Sequence, residues 1–593
     1  MSDYNAPVQD MRFVLENLCD MKGLRAFPAF EEASADLVEQ ILVESARFTG
    51  EVLSPLNQTG DQQGSHLTDG AVKTPDGFKE AYLSFVEGGW NGTPFEPEHG
   101  GMGLPWTITT ALQEMWQSAN LSWSLCPLLT IGAIESLVAH GSDELKAVYL
   151  EKLVSGEWAG TMNLTEPQAG TDLGLLKSRA EREGDHYRIF GTKIFITYGE
   201  QDFTDNIIHL VLARLPDAPP GVKGISLFLV PKFLVNEDGS LGDRNDLKAI
   251  GLEHKLGIHA SPTCVMSYGE AGDGAIGYLI GEEHDGLRCM FTMMNNARLN
   301  VGLQGVAVAE RAYQRAVAYA RERVQSEPVD GGRESATIIK HPDVRRMLMA
   351  MRAQTEAMRA MAYYTNSALD RSRHHGDGDT RAYNSRRTDL LTPVVKAWCT
   401  DLGVDLASMG VQVHGGMGFI EETGAAQHLR DARIAPIYEG TNGIQANDLL
   451  GRKLLRDGGA AMEELLDEMD TVANTSGDAD LDSMIDAQKS ANTVLRAATE
   501  WMLDPANNDT NRKFAGAAAF LNLTGTVVGG WLMTRSALAA VNGDVSGASP
   551  EFRAAKRITA QFYATHVLPR ARMYLDTITD GGDAVMALAE DLF

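Results

Sequence analysis

At 593 residues the chain exceeds what one hydrophobic core organises, and units of about 100–200 residues put three to five domains within it. Lys and Arg number 52 against 80 Asp and Glu, a formal net charge of −28 that repels nucleic acid and anionic lipid on average and argues against DNA binding. The excess acid reads as a solvated surface, so any site for a polyanion has to be locally positive.

The first domain, 1–160, is helical by period. Met11, Val14, Leu15 and Leu18 share one face, and Leu37, Ile41, Phe48 and Val52 another. A Gly/Pro-rich passage from Asn91 to Pro105 interrupts the pattern, which resumes through Leu112, Trp116 and Ile131–His140. The character changes near Gly160. Over 161–284, short β-branched or alternating runs at 187–197, 206–215, 224–230 and 262–268 are separated by Gly, Pro, Asp and Asn. Strands without intervening helices predict an antiparallel barrel or sandwich, not a parallel sheet.

Helix period returns over 285–457 in long segments, 287–324, 342–369 and 390–409, with breaks at 326–335 and 374–380. The second carries Met347, Met351, Met358 and Met361, which read as adaptable core filling. A further helical unit, 458–593, has a polar bridge near 474–480 and helices through 487–503, 512–540 and 552–575. The fold class expected is α+β and multidomain: an N-terminal helical domain, a middle antiparallel β domain, a helical bundle and an extra C-terminal helical domain.

Cys19, Cys126, Cys264, Cys289 and Cys399 are scattered, without a CxxC pair or a His at ligand spacing, so buried thiols in a reducing compartment are expected and no metal. The N-terminus lacks a basic and apolar leader, and no run approaches twenty uninterrupted apolar residues. A soluble, cytoplasmic protein without a membrane span is predicted.

Ile437-Tyr438-Glu439-Gly440-Thr441 offers one carboxylate on a bend that Gly permits, which makes Glu439 the candidate catalytic base. Two GGxG clusters, Gly100–Gly103 and Gly415–Gly418, neither follow a strand nor read GxGxxG, so a Rossmann fingerprint is excluded and close backbone approach is the use left to them. With Leu164-Thr165-Glu166-Pro167, Ala169-Gly170-Thr171-Asp172, Gly191-Thr192-Lys193-Ile194-Phe195-Ile196-Thr197 and Gln412-Val413-His414-Gly415-Gly416, these motifs, in this order over roughly the first 450 residues, resemble the acyl-CoA dehydrogenase flavoprotein family.

That resemblance implies FAD as cofactor, an acyl-CoA as substrate and electron-transfer flavoprotein as acceptor. It places Met162, Leu164, Thr165, Phe195, Ile196 and Thr197 along the flavin, with Phe195 where the family often has Trp. Thr171 and Asp172 then border the CoA channel, Thr171 standing where Ser is common. Arg323 resembles the residue that reaches the FAD pyrophosphate of a neighbouring subunit, while Gln412, Gly415, Gly416 and Thr441 approach FAD. Tyr438, Gly440, Asn295 and Arg298 fall on the substrate side. Some members carry their base where this chain has Ala297, which cannot act, and this sharpens the choice of Glu439.

The chemistry joins these parts. A hydride leaves the β-carbon of a thioester only if the α-proton leaves with it, so a base and an electron sink must face opposite sides of one Cα–Cβ bond. An apolar site raises the base's pKa, and hydrogen bonds to the thioester oxygen, one of them from the Glu439 N–H, acidify the carbon. The extension after 458 resembles long members in which it covers the surface a second dimer would occupy, which implies a homodimer. The opening 4–13, the Asn295–Arg298 variant, His341–Arg346 and Gln561–Pro569 resemble a subgroup acting on 3-methylmercaptopropionyl-CoA, with medium- and long-chain acyl-CoAs as the alternative. An oxidase reoxidised by O2 is a second enzymatic reading. DNA-binding relatives need a basic extension, and this one is acidic.

Overall fold

The computed structural model describes residues 4–331, 334–473, 479–542 and 548–593. Most of the expected polar bridge, 474–478, lies outside the described residues, as do 332–333 of the expected break at 326–335.

The N-terminal helix Val8–Asn17 buries Met11, Val14 and Leu15 as its spacing requires. In Ala35–Phe48 the buried stripe is Val38, Leu42, Ser45 and Phe48, while Leu37 is 38% exposed. The expected face was therefore set one residue off, because Val38 rather than Leu37 begins the i, i+4, i+7 series. Trp106–Ala119 and Leu121–His140 sit inside the protein, the second apolar or small nearly all round, the first burying Gln113, Glu114 and Gln117 as well. Leu121–His140 and Ala517–Val541 reach membrane-spanning length and hydropathy, but 94% and 83% of their apolar windows are buried within the protein. Burial on every side accounts for that composition.

The middle region is an eight-stranded sheet ordered Leu247–Leu252, Thr263–Tyr268, His186–Thr197, Ala275–Ile280, Ile225–Pro231, Ile207–Arg214, Ala159–Asn163. Arg179–Glu183 pairs with both His186–Thr197 and Ile207–Arg214, which closes five strands into a barrel. Pairing is antiparallel except for two contacts of Ile207–Arg214, with Ala159–Asn163 and, at Arg179, with Arg179–Glu183. Those parallel contacts depart from the all-antiparallel expectation. In the first of them Ala159–Asn163 enters from the helical domain, with Ala133 of Leu121–His140 packed against Gly160.

Three long helices, Gly286–Glu322, Pro342–His374 and Gly378–His414, form the bundle. The third starts a dozen residues before the apolar run that announces it, since Asp377 caps it by accepting from Thr380 N at 2.8 Å. Met347, Met351, Met358 and Met361 are all core. The first and third helices nearly touch: a Cβ on Gly305 would lie 2.1 Å from the Cys399 carbonyl oxygen, and one on Gly403 2.8 Å from Gly305 Cα.

The extension packs onto the bundle through Ala517–Asn542, where Gly525 and Gly529 make room for Trp398. It is also held by a buried ionic cluster drawn from five helices. Arg359, 1% exposed, pairs with Asp10 at 2.7 Å, Glu114 at 2.6 Å and Glu310 at 2.8 Å. Lys556 of Pro550–His566 bridges Asp10 and Glu356, and Glu356 also accepts from Thr559 at 2.7 Å.

Candidate active site

Residues 436–442 form a closed loop, because Asn442 N donates to the Pro436 carbonyl at 3.0 Å. At its tip Glu439 has φ 57° and Gly440 φ 85°. A non-glycine residue in the left-handed region is uncommon and is kept only where its surroundings hold it. Here Gln445 Nε2 donates to the carbonyls of Glu439 at 3.2 Å and Gly440 at 3.4 Å, and a Cβ on Gly440 would meet that amide at 2.7 Å. Thr441 then caps the helix Asn442–Asp448, accepting from Ile444 N at 3.3 Å.

The close crossing at Gly302, Gly305 and Gly403 brings Arg298 and Lys396 to the Glu439 carboxyl from two helices. Both cations are buried. Glu439 is half-buried, and among the described residues its carboxyl has no ion pair or hydrogen bond and its N–H no acceptor. Desolvation pushes its pKa up to about 7, against the opposing pull of Arg298 and Lys396. Burial pushes Lys396 down to about 7, with Glu439 and Asp401 opposing. Arg298 is lowered by burial too, but a guanidinium stays charged; its Nε lacks a partner, and the group lies 5.7 Å from the Phe291 ring centroid. Tyr438 donates to Gln304 Oε1 at 2.5 Å, and burial raises its phenol pKa.

On the β domain, Ile194 N donates to the Thr165 carbonyl at 2.9 Å and ties the two motif-bearing segments together. Lys193, wholly buried, donates to Leu164 O at 3.0 Å and Glu166 at 2.8 Å. Glu166 also accepts from the N–H groups of Lys177 and Ser178, at 2.7 and 3.0 Å. Burial works against that carboxylate, but Lys193 and these donors outweigh it and hold its pKa at about 2. Met162, Thr165 and Thr197 are half-buried, Leu164 is nearly covered, and Phe195 is 58% exposed at φ 61°. Ile196 departs from expectation: its side chain is 2% exposed and packs in the barrel core, because it alternates with Phe195 across the strand.

Arg323, Gln412, Gly415 and Gly416 are not brought to Glu439. Arg323 ends its helix 25 positions beyond Arg298, roughly 37 Å at 1.5 Å per residue. Tyr319 stacks on His414 at 4.5 Å, so these residues gather at the far end of the bundle, where Gly415 and Gly416 face open space. Thr171 is exposed on the loop where Asp172 caps a turn by accepting from Gly174 N at 2.9 Å. Asn295 is exposed on the helix of Arg298, one turn earlier.

Sequence reasoning passed over Lys396, Asn442, Gln445 and the Lys193–Glu166 pair. For Lys396 a signal existed: it is the lone charge in the run from Leu390 to Thr400.

Residues 39–157, 161–270 and 284–454 match the acyl-CoA dehydrogenase N-terminal, middle and C-terminal domains, and 465–589 match the domain described as acetyl-CoA dehydrogenase C-terminal like. The chain belongs to the acyl-CoA dehydrogenase family, oxidoreductases acting on acyl-CoA thioesters, and the family implies FAD. It is 49% identical to 3-methylmercaptopropionyl-CoA dehydrogenase of Ruegeria pomeroyi, over 98% of this chain and 99% of that one. It is 34% identical to a butyryl-CoA dehydrogenase of Syntrophomonas wolfei, over 100% and 99%. Among solved structures, the Bacillus anthracis acyl-CoA dehydrogenase complexed with FAD shares the fold at a TM-score of 0.75 and 20% identity, covering 93% of this chain and 89% of that one.

Proposed function

We propose that the enzyme converts 3-methylmercaptopropionyl-CoA to methylthioacryloyl-CoA, with Glu439 as the base that takes the α-proton. The observation that carries the assignment of the base is the Glu439 carboxyl itself, desolvated and, among the described residues, without an ion-pair partner, on a bend held by Gln445 and the Thr441 cap. The substrate rests on the full-length likeness to the Ruegeria enzyme.

The residues on the β domain fit a flat ring system. Phe195 is an exposed aromatic held at positive φ, and half-buried Met162 and Thr165 lie on the neighbouring segment. Met162, Leu164, Thr165, Phe195 and Thr197 would hold FAD there, Ile196 through its backbone only, and Thr441 from the bundle. FAD, when bound, supplies the acceptor for the hydride that leaves Cβ. The Glu439 N–H, free of any acceptor among the described residues, donates to the thioester oxygen and stabilises the charge that grows there. Glu439 takes the α-proton on its carboxylate while the Cα–H electron pair becomes the new double bond. Gly440 lets the loop approach the substrate, Tyr438 braces it through Gln304, and Arg298 supplies the local positive charge that an acyl-CoA needs in an acidic protein. Thr171 and Asn295 lie on the CoA side.

Arg323, Gln412, Gly415 and Gly416 are too far from Glu439 to meet the same end of the cofactor, which supports a homodimer in which they reach the partner's FAD. Electron-transfer flavoprotein is the acceptor. The test is Glu439→Gln in a dye-coupled assay on 3-methylmercaptopropionyl-CoA beside saturated acyl-CoAs. Loss of turnover with intact flavin binding is expected, and near-normal turnover overturns the base. A higher kcat/KM for butyryl- or palmitoyl-CoA overturns the substrate.

A further inference from the structure

Lys396 is wholly buried on Gly378–His414, on the turn before Trp398, which the extension covers. Its Nζ donates to Asn442 Oδ1 at 2.8 Å. The two Nδ2 hydrogens of Asn442 are shared among Asp401 at 2.7 Å, Thr400 at 2.9 Å and Ala397 O at 3.1 Å, while its backbone N–H closes the loop onto Pro436. Three residues after Glu439, the chain is thus anchored to the third bundle helix by one side chain, and Lys396 is the nearer donor to its oxygen, with Thr400 Oγ1 at 3.3 Å.

Lys396 has no ion pair among the described residues, so its charge is met only by neutral Asn442 at hydrogen-bond distance. The charged groups around it are Glu439 on the loop, Arg298 on the facing helix and Asp401 on its own helix. Beyond these, Asp448 and Arg452 face Arg298, and the Tyr438 phenol lies beside Glu439. Arg298 carries its charge at every working pH. Lys396 does not, since desolvation brings its titration to about 7, beside that of Glu439.

We propose that Lys396 is a positioning residue for proton abstraction: through Asn442 it holds the loop that presents Glu439, and its positive charge favours the carboxylate form of that residue. This rests on the reading of Glu439 as the base. The chemistry needs no added reactant, because the proton still passes from the thioester Cα to a Glu439 oxygen, and Lys396 changes only how much of Glu439 is ready to accept it.

The experiment measures kcat/KM against pH for wild-type holoenzyme, Lys396→Met, Lys396→Gln and Lys396→Arg. Methionine removes donor and charge, glutamine keeps an N–H donor without charge, and arginine keeps the charge. In both uncharged variants the acid limb is expected to move up by at least about half a pH unit, corresponding to about threefold in the proton affinity of the base. They converge toward the wild type above pH 9, where Lys396 is itself neutral, and Lys396→Arg, which stays charged throughout, keeps its acid limb at or below that of the wild type. If the methionine variant fails to fold, the glutamine variant carries the comparison. An unmoved acid limb, or an equal pH-independent loss in all three, overturns the proposal. Glu439→Gln, run alongside, separates the two readings: if it is inactive while the limb stays put, only the role of Lys396 falls, whereas if it is active the assignment of the base falls first.

Discussion

Arg359, buried, and Glu439, half-buried beside buried Arg298 and Lys396, sit in two clusters of similar ingredients, carboxylates facing Arg and Lys from helices distant in sequence, arranged in opposite ways. Around Arg359 each charge finds an opposite one within hydrogen-bond reach, and Tyr363 donates a further bond to Glu114 at 2.7 Å. Around Glu439 the same groups are kept apart. Paired, buried charges lock five helices together; unpaired, desolvation drives the acid and the lysine toward one pKa near neutrality. The first arrangement holds the extension in place, and the second leaves a carboxylate able to accept a proton.

The largest expected effect is at the unpaired site. Glu439→Gln lowers kcat by about 10³-fold or more, consistent with the range for a positioned general base, while flavin content measured by absorbance is retained. The same substitution removes a charge that the fold disfavours. Because the folded pKa is raised to about 7, ionisation costs stability as pH rises through the window from the unfolded value, about 4.3, to 7. The variant is then more stable than the wild type at pH 8, by about 1–3 kcal/mol in chemical denaturation. A less stable variant would break the contrast with the Arg359 cluster.

Arg359→Met should do the reverse. It leaves Asp10, Glu114 and Glu310 buried without their shared cation and costs about 3–5 kcal/mol in denaturation, yet leaves kcat per folded, flavin-loaded molecule near wild type. Next in size, Gly440→Ala forces a Cβ into the left-handed region and onto the Gln445 amide, costing about 1–2 kcal/mol and lowering kcat more than it raises KM. The pH profile sharpens the comparison further. Activity rises with pH through about 7 as Glu439 ionises. For Lys396 the sign is opposite in stability: its folded pKa lies below the unfolded value, so the wild type gains stability from pH 7 toward 10 relative to Lys396→Met, read as a difference in Tm. The smallest effect belongs to exposed pairs. Arg12→Ala, which breaks the ion pair with Glu39 at 2.7 Å, shifts stability by no more than about 1 kcal/mol and leaves the pH profile unchanged.

Much of the architecture was legible because it follows from periodicity. The strands at His186–Thr197, Ile207–Arg214, Ile225–Pro231 and Thr263–Tyr268 and the three bundle helices lie close to where alternation and 3.6-residue spacing place them. Arg179–Glu183, Leu247–Leu252 and Ala275–Ile280 escaped notice, the first because it is almost wholly charged and the other two because each is a six-residue run with a Gly inside it. The start of Gly378–His414 was hidden because its first turns are polar.

Within the site, local sequence announced the bend at Glu439 and the family motifs around it, because a Gly after a carboxylate and a turn at positive φ are local properties of the backbone. The buried environment of Glu439 is not local. It depends on Gly302, Gly305 and Gly403 letting two helices close, on Arg298 and Lys396 arriving from those helices, and on neither forming an ion pair with the acid. The sequence by itself determined most of the elements, the family and the residue that carries the carboxylate. The tertiary structure decided its proton affinity, sent Ile196 into the barrel core and separated the Arg323–Gly416 group from Glu439, because burial and charge spacing are set by contacts between segments far apart in the chain.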